Sequence, residues 1–298
     1  MATAQPLTVA SAARAALAAA GPSVVRIGRA PGRGCGVVVA EDRVLTNAHN
    51  LRDRTTEVTF ADGRAVQGSV AGVDPDGDLV VLEVETAGAP VLPWADVAVG
   101  PGDAVFAVGR GADGGDRVTF GLVSGVDRAF RGPRGRRITG SLEHTAPLPR
   151  GSSGSPVVDA EGHLLGLSTA RLRDGFYLAL PADEALRARV DALVRGESVT
   201  RLVLGVGLAP AEVARQLRES VGLPARDGLL LRVVEEGSPA ERAGLAAGDL
   251  ITAAGGAPAA TVDDLHQALD AARTERRLTL EVTRGDEPRT VEVTFDDA

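Results

Sequence analysis

A serine flanked by glycines lies just past the middle of the chain, in the segment Gly151-Ser152-Ser153-Gly154-Ser155-Pro156. Glycine removes side-chain bulk and permits backbone angles that other residues resist, so a serine in such a loop can be approached closely. Successive backbone N–H groups can also converge there on one point, as stabilisation of an oxyanion requires. The segment predicts Ser153 as a nucleophile, with the N–H groups of Gly151 and Ser153 as oxyanion donors. A plain surface loop is the alternative, and Ser152 and Ser155 compete for the role.

A serine nucleophile needs an imidazole to take its proton and a carboxylate to orient that imidazole. His49 ends the segment Thr46-Asn47-Ala48-His49, and Asp78 directly precedes the apolar run Leu79–Leu82. A carboxylate at the start of such a strand is costly to bury without a partner, and His49 is a natural one. The chain order His49, Asp78, Ser153 is that of the chymotrypsin-type barrels.

Other titratable residues have simpler interpretations. Asp74 and Asp76 are expected to form a turn, although either is an alternative orienting acid if Asp78 points away. His144 is interpreted as a structural histidine with its hydrogen bonds satisfied, and the alternative is that it tunes the nearby pocket. His163 is interpreted as a residue of a hairpin turn. The arginine-rich segment 131–137 is expected to be a solvated loop, with an anionic partner as the alternative.

Composition limits the classes of function. The chain has 298 residues, 44% hydrophobic and 24% charged, which is typical of a globular protein. Its formal net charge of −8 argues against nucleic acid as a partner. Cys35 is the single cysteine and only four histidines occur, so neither an intramolecular disulfide nor a common zinc pattern is expected. No metal or cofactor is predicted.

The amino-terminal segment 1–22 predicts a short helix around residues 10–20. It lacks the basic start and the strongly apolar centre of a signal peptide, and no run approaches the ~20 apolar residues of a membrane span. A cytoplasmic location is expected if Met1 is the native start. The alternative is an extracytoplasmic location, periplasmic or secreted, with the export segment missing.

Short β-branched runs separated by turn residues extend over residues 23–182 and predict a barrel or sandwich of antiparallel strands. Strands are expected, for example, at Val118–Val126, Arg137–His144 and Leu164–Thr169. Residues 183–198 show helical periodicity and are expected to form a linker. Residues 199–298 mix strands and helices, which indicates a second domain.

Three blocks resemble the triad blocks of the HtrA/Deg serine proteases: Thr46–His49, Asp74–Leu79 and Gly151–Pro156. The C-terminal part resembles the PDZ domain of that family, in Leu204-Gly205-Val206 and in Gly237–Ile251. The resemblance implies a mostly β fold, a trypsin-like double β-barrel followed by an α+β PDZ domain. It implies a serine endopeptidase of protein quality control that acts on unfolded or damaged polypeptides. A proteolytically silent peptide-binding or chaperone-like scaffold is the alternative.

The resemblance also places a specificity pocket. Its floor falls six residues before the nucleophile, at Pro147, beside Leu148. The opposite wall comes from Leu167, Ser168 and Thr169. Because the floor has no acid, cleavage after arginine or lysine would lack a counter-charge. The residues of the opposite wall suit a small or medium aliphatic side chain. Prolines 147 and 149 restrict the backbone leading to the nucleophile, so preformation of the oxyanion site is left open.

In the PDZ part, the resemblance assigns Leu204, Gly205 and Val206 to the loop that binds a peptide carboxylate. Val262, His266 and Leu269 are spaced to share one helix face and are expected to face the peptide groove. The alternative is that they pack the helix onto its own sheet. Peptide C-termini are the expected partners. The family also forms trimers through N-terminal aromatic residues, which this chain lacks before Phe60, so a homo-oligomer is an open expectation.

Overall fold

The computed structural model describes residues 8–29, 33–111, 114–132, 135–199, 201–209 and 211–296. The chain divides into two compact units, residues 1–199 and residues 200–298.

The first unit contains two closed barrels of six antiparallel strands each. The strands of the first barrel are β1 (Val24–Ile27), β2 (Gly34–Ala40), β3 (Arg43–Thr46), β4 (Thr55–Thr59), β5 (Ala65–Asp74) and β6 (Leu79–Glu83). Those of the second are β7 (Ala104–Arg110), β8 (Asp116–Arg131), β9 (Arg137–His144), β10 (Pro156–Val158), β11 (Leu164–Arg171) and β12 (Tyr177–Pro181). The strand order is 1-2-3-6-5-4 in the first barrel and 10-11-12-9-8-7 in the second.

Aliphatic side chains fill the space between the two barrels, since aromatic residues make up only 3% of the sequence. One buried cluster joins residues of the first barrel, such as Leu45 and Leu79, to residues of the second, such as Phe106 and Leu167. The segments that end at these strands therefore meet along the seam between the barrels. The candidate active-site segments lie at this seam.

Two helices complete the first unit. Helix α1 (Val9–Ala20) is capped by the Thr8 side chain and buries an alanine at every fourth position, which permits close approach to the second barrel. Helix α2 (Glu184–Val194) is capped by Asp183 and packs on β5 and β6 of the first barrel. It lies in the segment expected to be a linker. Its apolar face, including Leu186, is buried in the core of the first unit.

The second unit is a sheet with helices. Its strands are β13 (Val206–Leu208), β14 (Leu229–Val234), β15 (Asp249–Ala254), β16 (Ala257–Pro258), β17 (Arg277–Arg284) and β18 (Glu287–Thr294). The sheet order is 13-14-15-17-18, and β16 pairs with β15. The helices are α3 (Ala211–Ser220), α4 (Pro239–Arg242) and α5 (Val262–Ala271). Thr261 and Asp264 form a capping box at the start of α5, which fixes where that helix begins.

The predicted fold class, a double β-barrel followed by an α+β unit, is confirmed. One strand differs from its predicted bounds: β8 runs over Asp116–Arg131, well beyond residues 118–126. The pairing of β8 with β9 shifts its register three times. These β-bulges allow β8 to stay paired with β9 beyond position 126, where apolar residues no longer alternate. No helix within the described ranges has both the length and the apolar character needed to cross a membrane.

Candidate active site

The Asp78 carboxylate makes paired contacts with His49. One carboxylate oxygen accepts the His49 backbone N–H at 3.1 Å, and the other lies 2.7 Å from His49 Nδ1. The Asp78 side chain is 5% exposed and the His49 side chain 27% exposed. A carboxylate accepts hydrogen bonds, so this contact favours the tautomer of the neutral imidazole that carries its proton on Nδ1 and leaves the lone pair on Nε2. The imidazole is thus held in the tautomer that can act as a base.

Asp78 has an unusual backbone conformation that allows its carboxylate to contact both the backbone N–H and the ring of His49. Its φ of 56° lies in the left-handed region, which aspartate tolerates better than most residues. Its carbonyl oxygen accepts the Ala48 N–H and the Asn47 amide side chain, each at 3.1 Å. The backbone of Asp78 is therefore tied to the segment that carries His49. For this reason β6 begins at Leu79, after Asp78.

The other two acids of the same turn have different partners. The Asp74 carboxylate accepts the N–H groups of Asp76 and Gly77 and pairs with Arg189 at 3.4 Å. Asp76 forms an ion pair with Arg136 at 3.1 Å. Arg136 belongs to the arginine-rich segment 131–137, so at least this arginine contacts the first barrel. Residues 133 and 134 lie outside the described ranges.

A third donor reaches Asp78 from the second barrel. The Thr169 hydroxyl on β11 donates to the Asp78 carboxylate oxygen that faces His49, at 2.9 Å. Sequence reasoning assigned Thr169 to the pocket wall and missed this contact, which depends on how the barrels close. The Asp78 carboxylate is consequently fixed by groups of both barrels.

The Ser153 loop is anchored to the first barrel through its backbone. The Ser153 carbonyl oxygen accepts the Cys35 N–H at 2.8 Å and the Asn50 side-chain amide at 2.9 Å. Asn50 also donates to the Thr46 hydroxyl at 2.9 Å. Asn50 is 1% exposed. Nothing in the sequence reasoning singled it out, since its partner lies 103 positions away.

Gly154 fits this junction because it has no side chain. Its φ of +85° is strained for other residues, and a Cβ there would overlap the Cys35 carbonyl oxygen. Its N–H donates to the Ser168 carbonyl at 2.7 Å. The loop therefore passes between the two barrels with glycine at the closest approach.

The three serines of the loop differ in exposure. Ser152 and Ser155 are buried and Ser153 is half-buried. Ser152 and Ser153 both line a cavity. The Ser153 hydroxyl lies 3.5 Å from the Thr169 carbonyl oxygen. Within the described ranges, the N–H groups of Gly151 and Ser153 donate to no other residue. Both are free to serve a ligand oxygen.

The cavity beside Ser153 has a volume of about 180 Å³. Of the predicted pocket residues, Leu148, Ser168 and Thr169 line it. Pro147 instead lines a neighbouring cavity of about 330 Å³. Leu167 is fully buried in the core between the barrels. Two of the five predicted residues thus lie outside this cavity.

Arg171 and Tyr177 also line the cavity, and sequence reasoning did not identify them. Arg171 Nη2 donates to the Tyr177 hydroxyl at 2.9 Å. Burial alone would raise the pKa of the Tyr177 hydroxyl, but hydrogen bonds with Arg171 and with the backbone of Leu148 hold this pKa below its ordinary value. The available signal for this pair in the sequence was the single tyrosine of the chain, which follows an arginine at a strand end by six residues.

His144 lies behind Tyr177. The two rings stack, with centroids 5.7 Å apart. His144 is fully buried, and neither ring nitrogen bonds to another described residue. Burial lowers the pKa of His144 to about 4, so the ring is neutral at pH 7.

The PDZ-like loop is held by its own backbone. The Leu204 carbonyl accepts the Ala240 N–H at 3.0 Å, and the Gly205 carbonyl accepts the Glu235 N–H at 2.9 Å. Gly205 has a φ of +76°, and a Cβ there would overlap the Ser238 side chain. Val206 follows as the first residue of β13.

The three groove residues predicted on α5 have different environments. Leu269 is buried in the core of the second unit, His266 is half-buried and Val262 is 38% exposed. Leu269 therefore packs the helix onto its sheet, which leaves Val262 and His266 as the accessible pair. In the described part of the chain, no group of three or more His, Cys, Asp or Glu residues could hold a metal ion.

Comparison with known proteins follows the same division. A family model for the trypsin-like peptidase domain matches residues 34–167, and one for the PDZ domain matches residues 203–295. HhoA of Synechocystis sp. (strain ATCC 27184 / PCC 6803 / Kazusa) is 33% identical over 273 residues, which cover 87% of this chain and 69% of HhoA. The mitochondrial serine protease HTRA2 of Bos taurus is 33% identical over 280 residues, which cover 88% of this chain and 59% of that protein.

Among solved structures, the HtrA-type protease AlgW with a decapeptide superimposes with a TM-score of 0.68 at 23% identity. The match covers 94% of this chain and 97% of AlgW, and it shows the fold alone. The two family models and the relatives agree with the arrangement of barrels, loop and sheet. This chain therefore belongs to the HtrA/Deg family of trypsin-like serine endopeptidases that carry a PDZ domain.

Proposed function

We propose that this chain cleaves unfolded or damaged polypeptides, with Ser153 as nucleophile, His49 as general base and Asp78 as the orienting acid. The observation that carries the proposal is the 2.7 Å contact between His49 Nδ1 and the buried Asp78 carboxylate. This contact fixes the tautomer of the base, which such a reaction requires.

The reaction follows from these groups. Ser153 Oγ attacks a peptide carbonyl carbon while its proton passes to His49 Nε2, and the N–H groups of Gly151 and Ser153 bind the resulting oxyanion. The carbon–nitrogen bond then breaks as the imidazolium gives its proton to the leaving amine. A water molecule then gives a proton to His49 while its oxygen attacks the acyl carbon. The ester bond to Ser153 Oγ breaks, His49 returns the proton to Oγ, and the second product leaves as a carboxylic acid. Every proton taken by His49 is returned, so no cofactor is consumed.

Casein digestion by single-serine variants tests this assignment. Ser153→Ala is expected to reduce casein cleavage to the level of a buffer blank. Ser155→Ala, a change two positions away in the same loop, is the matched control and is expected to keep activity. Labelling with an organophosphate, followed by mass spectrometry, should modify Ser153. Equal cleavage by wild type and Ser153→Ala would contradict the assignment. Absence of cleavage with every unfolded substrate and peptide activator would favour the silent scaffold.

The second unit is proposed to capture peptide C-termini. The backbone of Leu204, Gly205 and Val206 would bind the terminal carboxylate, and the peptide would add as a strand between β13 and α5, beside Val262 and His266. The HtrA-type protease AlgW, which shares this fold, was solved with a decapeptide, and this supports peptide binding as a property to test.

Fluorescence anisotropy on the Ser153→Ala chain tests peptide capture. Peptides with free C-termini should bind, and the same peptides with amidated C-termini should bind at least tenfold more weakly, since a charge-assisted contact is lost. Val262→Glu should weaken binding. Val221→Glu, which alters a residue 70% exposed and outside the proposed groove, is the matched control. Equal affinity for free and amidated peptides would contradict carboxylate capture.

The oligomeric state and the compartment stay predictions. Sedimentation equilibrium of the purified chain would distinguish a monomer from a homo-oligomer. Fractionation of source cells with immunodetection would distinguish the cytoplasm from an extracytoplasmic space.

A further inference from the structure

Among the described residues, the cavity beside Ser153 is lined by two arginines, Arg150 and Arg171, and by no aspartate or glutamate. The described lining of the neighbouring cavity includes Arg110 and Arg117 and likewise contains no acid. Arg110 is already paired with Asp116 at 2.8 Å. A side chain that enters beside Ser153 therefore meets positive potential, which attracts carboxylates and repels lysine and arginine.

Arg171 is held by Tyr177 and has more N–H donors than this contact uses. One of its nitrogens donates to Tyr177, and its guanidinium lies 5.2 Å from the centre of the Tyr177 ring. Within the described ranges, Arg171 forms no ion pair with a carboxylate. A guanidinium carries five N–H donors in a fixed fork, so most of them remain available on the cavity side or to solvent. Tyr177 keeps the fork in place, because it is 5% exposed and stacked on His144.

Ser168 supplies a second unmet polar group. It is 3% exposed, lines the same cavity, and its hydroxyl has no hydrogen-bond partner among the described residues. A buried polar atom without a hydrogen-bond partner destabilises the structure, because the atom has lost its bonds to water. An aliphatic ligand would leave this hydroxyl unpaired, whereas a carboxylate oxygen could accept its proton.

The remaining wall suits the stem of an acidic side chain. Leu148 is 8% exposed and, with the Tyr177 ring, gives the cavity an apolar side. The methylene groups of glutamate would contact this side while the carboxylate reaches Arg171 and Ser168. This lining would favour a different side chain from the small or medium aliphatic one that the sequence predicts.

We propose that this cavity selects an acidic residue, glutamate or aspartate, at the position whose carbonyl carbon Ser153 attacks, with Arg171 as the specificity-determining residue. This inference rests on the proposed function, because it names the substrate class of the same site.

The test uses internally quenched peptides with amidated C-termini that differ only at the cleaved position: Glu, Gln, Val or Arg. Wild type is expected to cleave the Glu peptide with a kcat/KM at least about tenfold above the Gln and Val peptides, since charge-assisted hydrogen bonds are the strong ones. Arg171→Gln should remove this preference, so that the ratio of kcat/KM between the Glu and Gln peptides falls to about one. Arg150→Gln, a second arginine in the same lining, is the matched control and should have the smaller effect. Equal kcat/KM for Glu and Val, or an unchanged ratio in Arg171→Gln, would overturn the proposal.

Binding to the Ser153→Ala chain separates this inference from the proposed function. By anisotropy, the Glu peptide should bind at least about tenfold more tightly than the Val peptide, and the difference should vanish in the Ser153→Ala, Arg171→Gln double variant. If wild type cleaves nothing but this preference holds, the proposed function fails and the inference stands. If the two peptides bind equally, the inference fails. Thermal unfolding of each variant identifies any variant that does not fold. In that case Tyr177→Phe, which keeps the ring and removes the hydroxyl that holds Arg171, is the second variant and should reduce the preference for the Glu peptide.

Discussion

The Thr169 hydroxyl of the second barrel donates a hydrogen bond to the Asp78 carboxylate of the first, across 2.9 Å. The accepting oxygen is the one that contacts His49 Nδ1. The carboxylate of the proposed orienting acid is therefore positioned by a residue from the opposite barrel. The orientation of the His49 imidazole therefore depends on how closely the two barrels pack against each other.

Replacing Thr169 by valine should lower kcat/KM by about ten- to a hundredfold, because a hydrogen bond to a charged group contributes roughly 1.5–3 kcal/mol. Valine keeps the shape and removes the donor. Thr169→Ser keeps the hydroxyl and should retain most activity. Steady-state kinetics on a quenched peptide would measure both. A Thr169→Val enzyme as active as wild type would show that Asp78 needs no support from β11.

Asn50→Asp should reduce both activity and stability. The change keeps the size of the side chain but removes the amide that donates to the Ser153 carbonyl and to Thr46. We expect a loss of about 1–3 kcal/mol in the free energy of unfolding and a lower kcat, measured by urea denaturation and by single-turnover kinetics.

The control for Asn50 is Thr86→Val. Thr86 is 3% exposed, and its N–H and hydroxyl groups donate hydrogen bonds to the Asp42 carboxylate. Both residues lie outside the candidate site. This variant should lose stability while it keeps kcat well below its unfolding temperature. If Asn50→Asp also kept kcat, the amide would only stabilise the fold.

Gly154→Ala should abolish activity. A left-handed backbone costs a non-glycine residue about 1–2 kcal/mol, and the added Cβ would also overlap the Cys35 carbonyl. Gly63→Ala separates the two effects, because Gly63 has a φ of +86° with no atom within 4 Å of an added Cβ. Thermal unfolding and peptide cleavage should show a modest loss for Gly63→Ala and a severe one for Gly154→Ala. Similar results for both would mean that the contact with Cys35 relaxes freely.

His144 should make the first unit less stable in acid. Burial lowers the pKa of His144 from 6.5 to about 4 in the folded chain. Between these values the unfolded chain binds the additional proton, so stability falls as the pH drops from about 6.5 to about 4. The full effect is about 3 kcal/mol, from the difference between the two pKa values.

His144→Phe should remove this component, since phenylalanine can keep the stacking on Tyr177 and does not titrate. Urea denaturation of both proteins at pH 7 and pH 4.5 would measure it. The pH-dependent loss should be smaller in the variant. An equal loss in both would show that other groups account for the acid sensitivity.

The fold followed closely from the sequence where local patterns are strong. The alternation over residues 137–144 predicts a strand, and β9 spans Arg137–His144. The extension of β8 was not predictable, because the residues beyond position 126 interrupt the alternation and pair only through shifts of register with β9.

The candidate site divides in the same way. His49, Asp78 and Ser153 belong to short motifs that can be recognised without a structure. The contacts that support them cannot, since Thr169 is 91 positions from Asp78 and Asn50 is 103 from Ser153. Arg171 and Tyr177 are near in sequence, but their joint presence at a cavity depends on how β11 and β12 curve into the barrel.

The Ser153 carbonyl, held by Cys35 and Asn50, also has a thermodynamic consequence for the whole first unit. The residue precedes β10 of the second barrel, yet two of its hydrogen bonds come from the first. Neither barrel can separate from the other without breaking these bonds and exposing the apolar seam between them. The two barrels should therefore unfold in a single cooperative transition, and a covalent inhibitor on Ser153 should raise the melting temperature of both together.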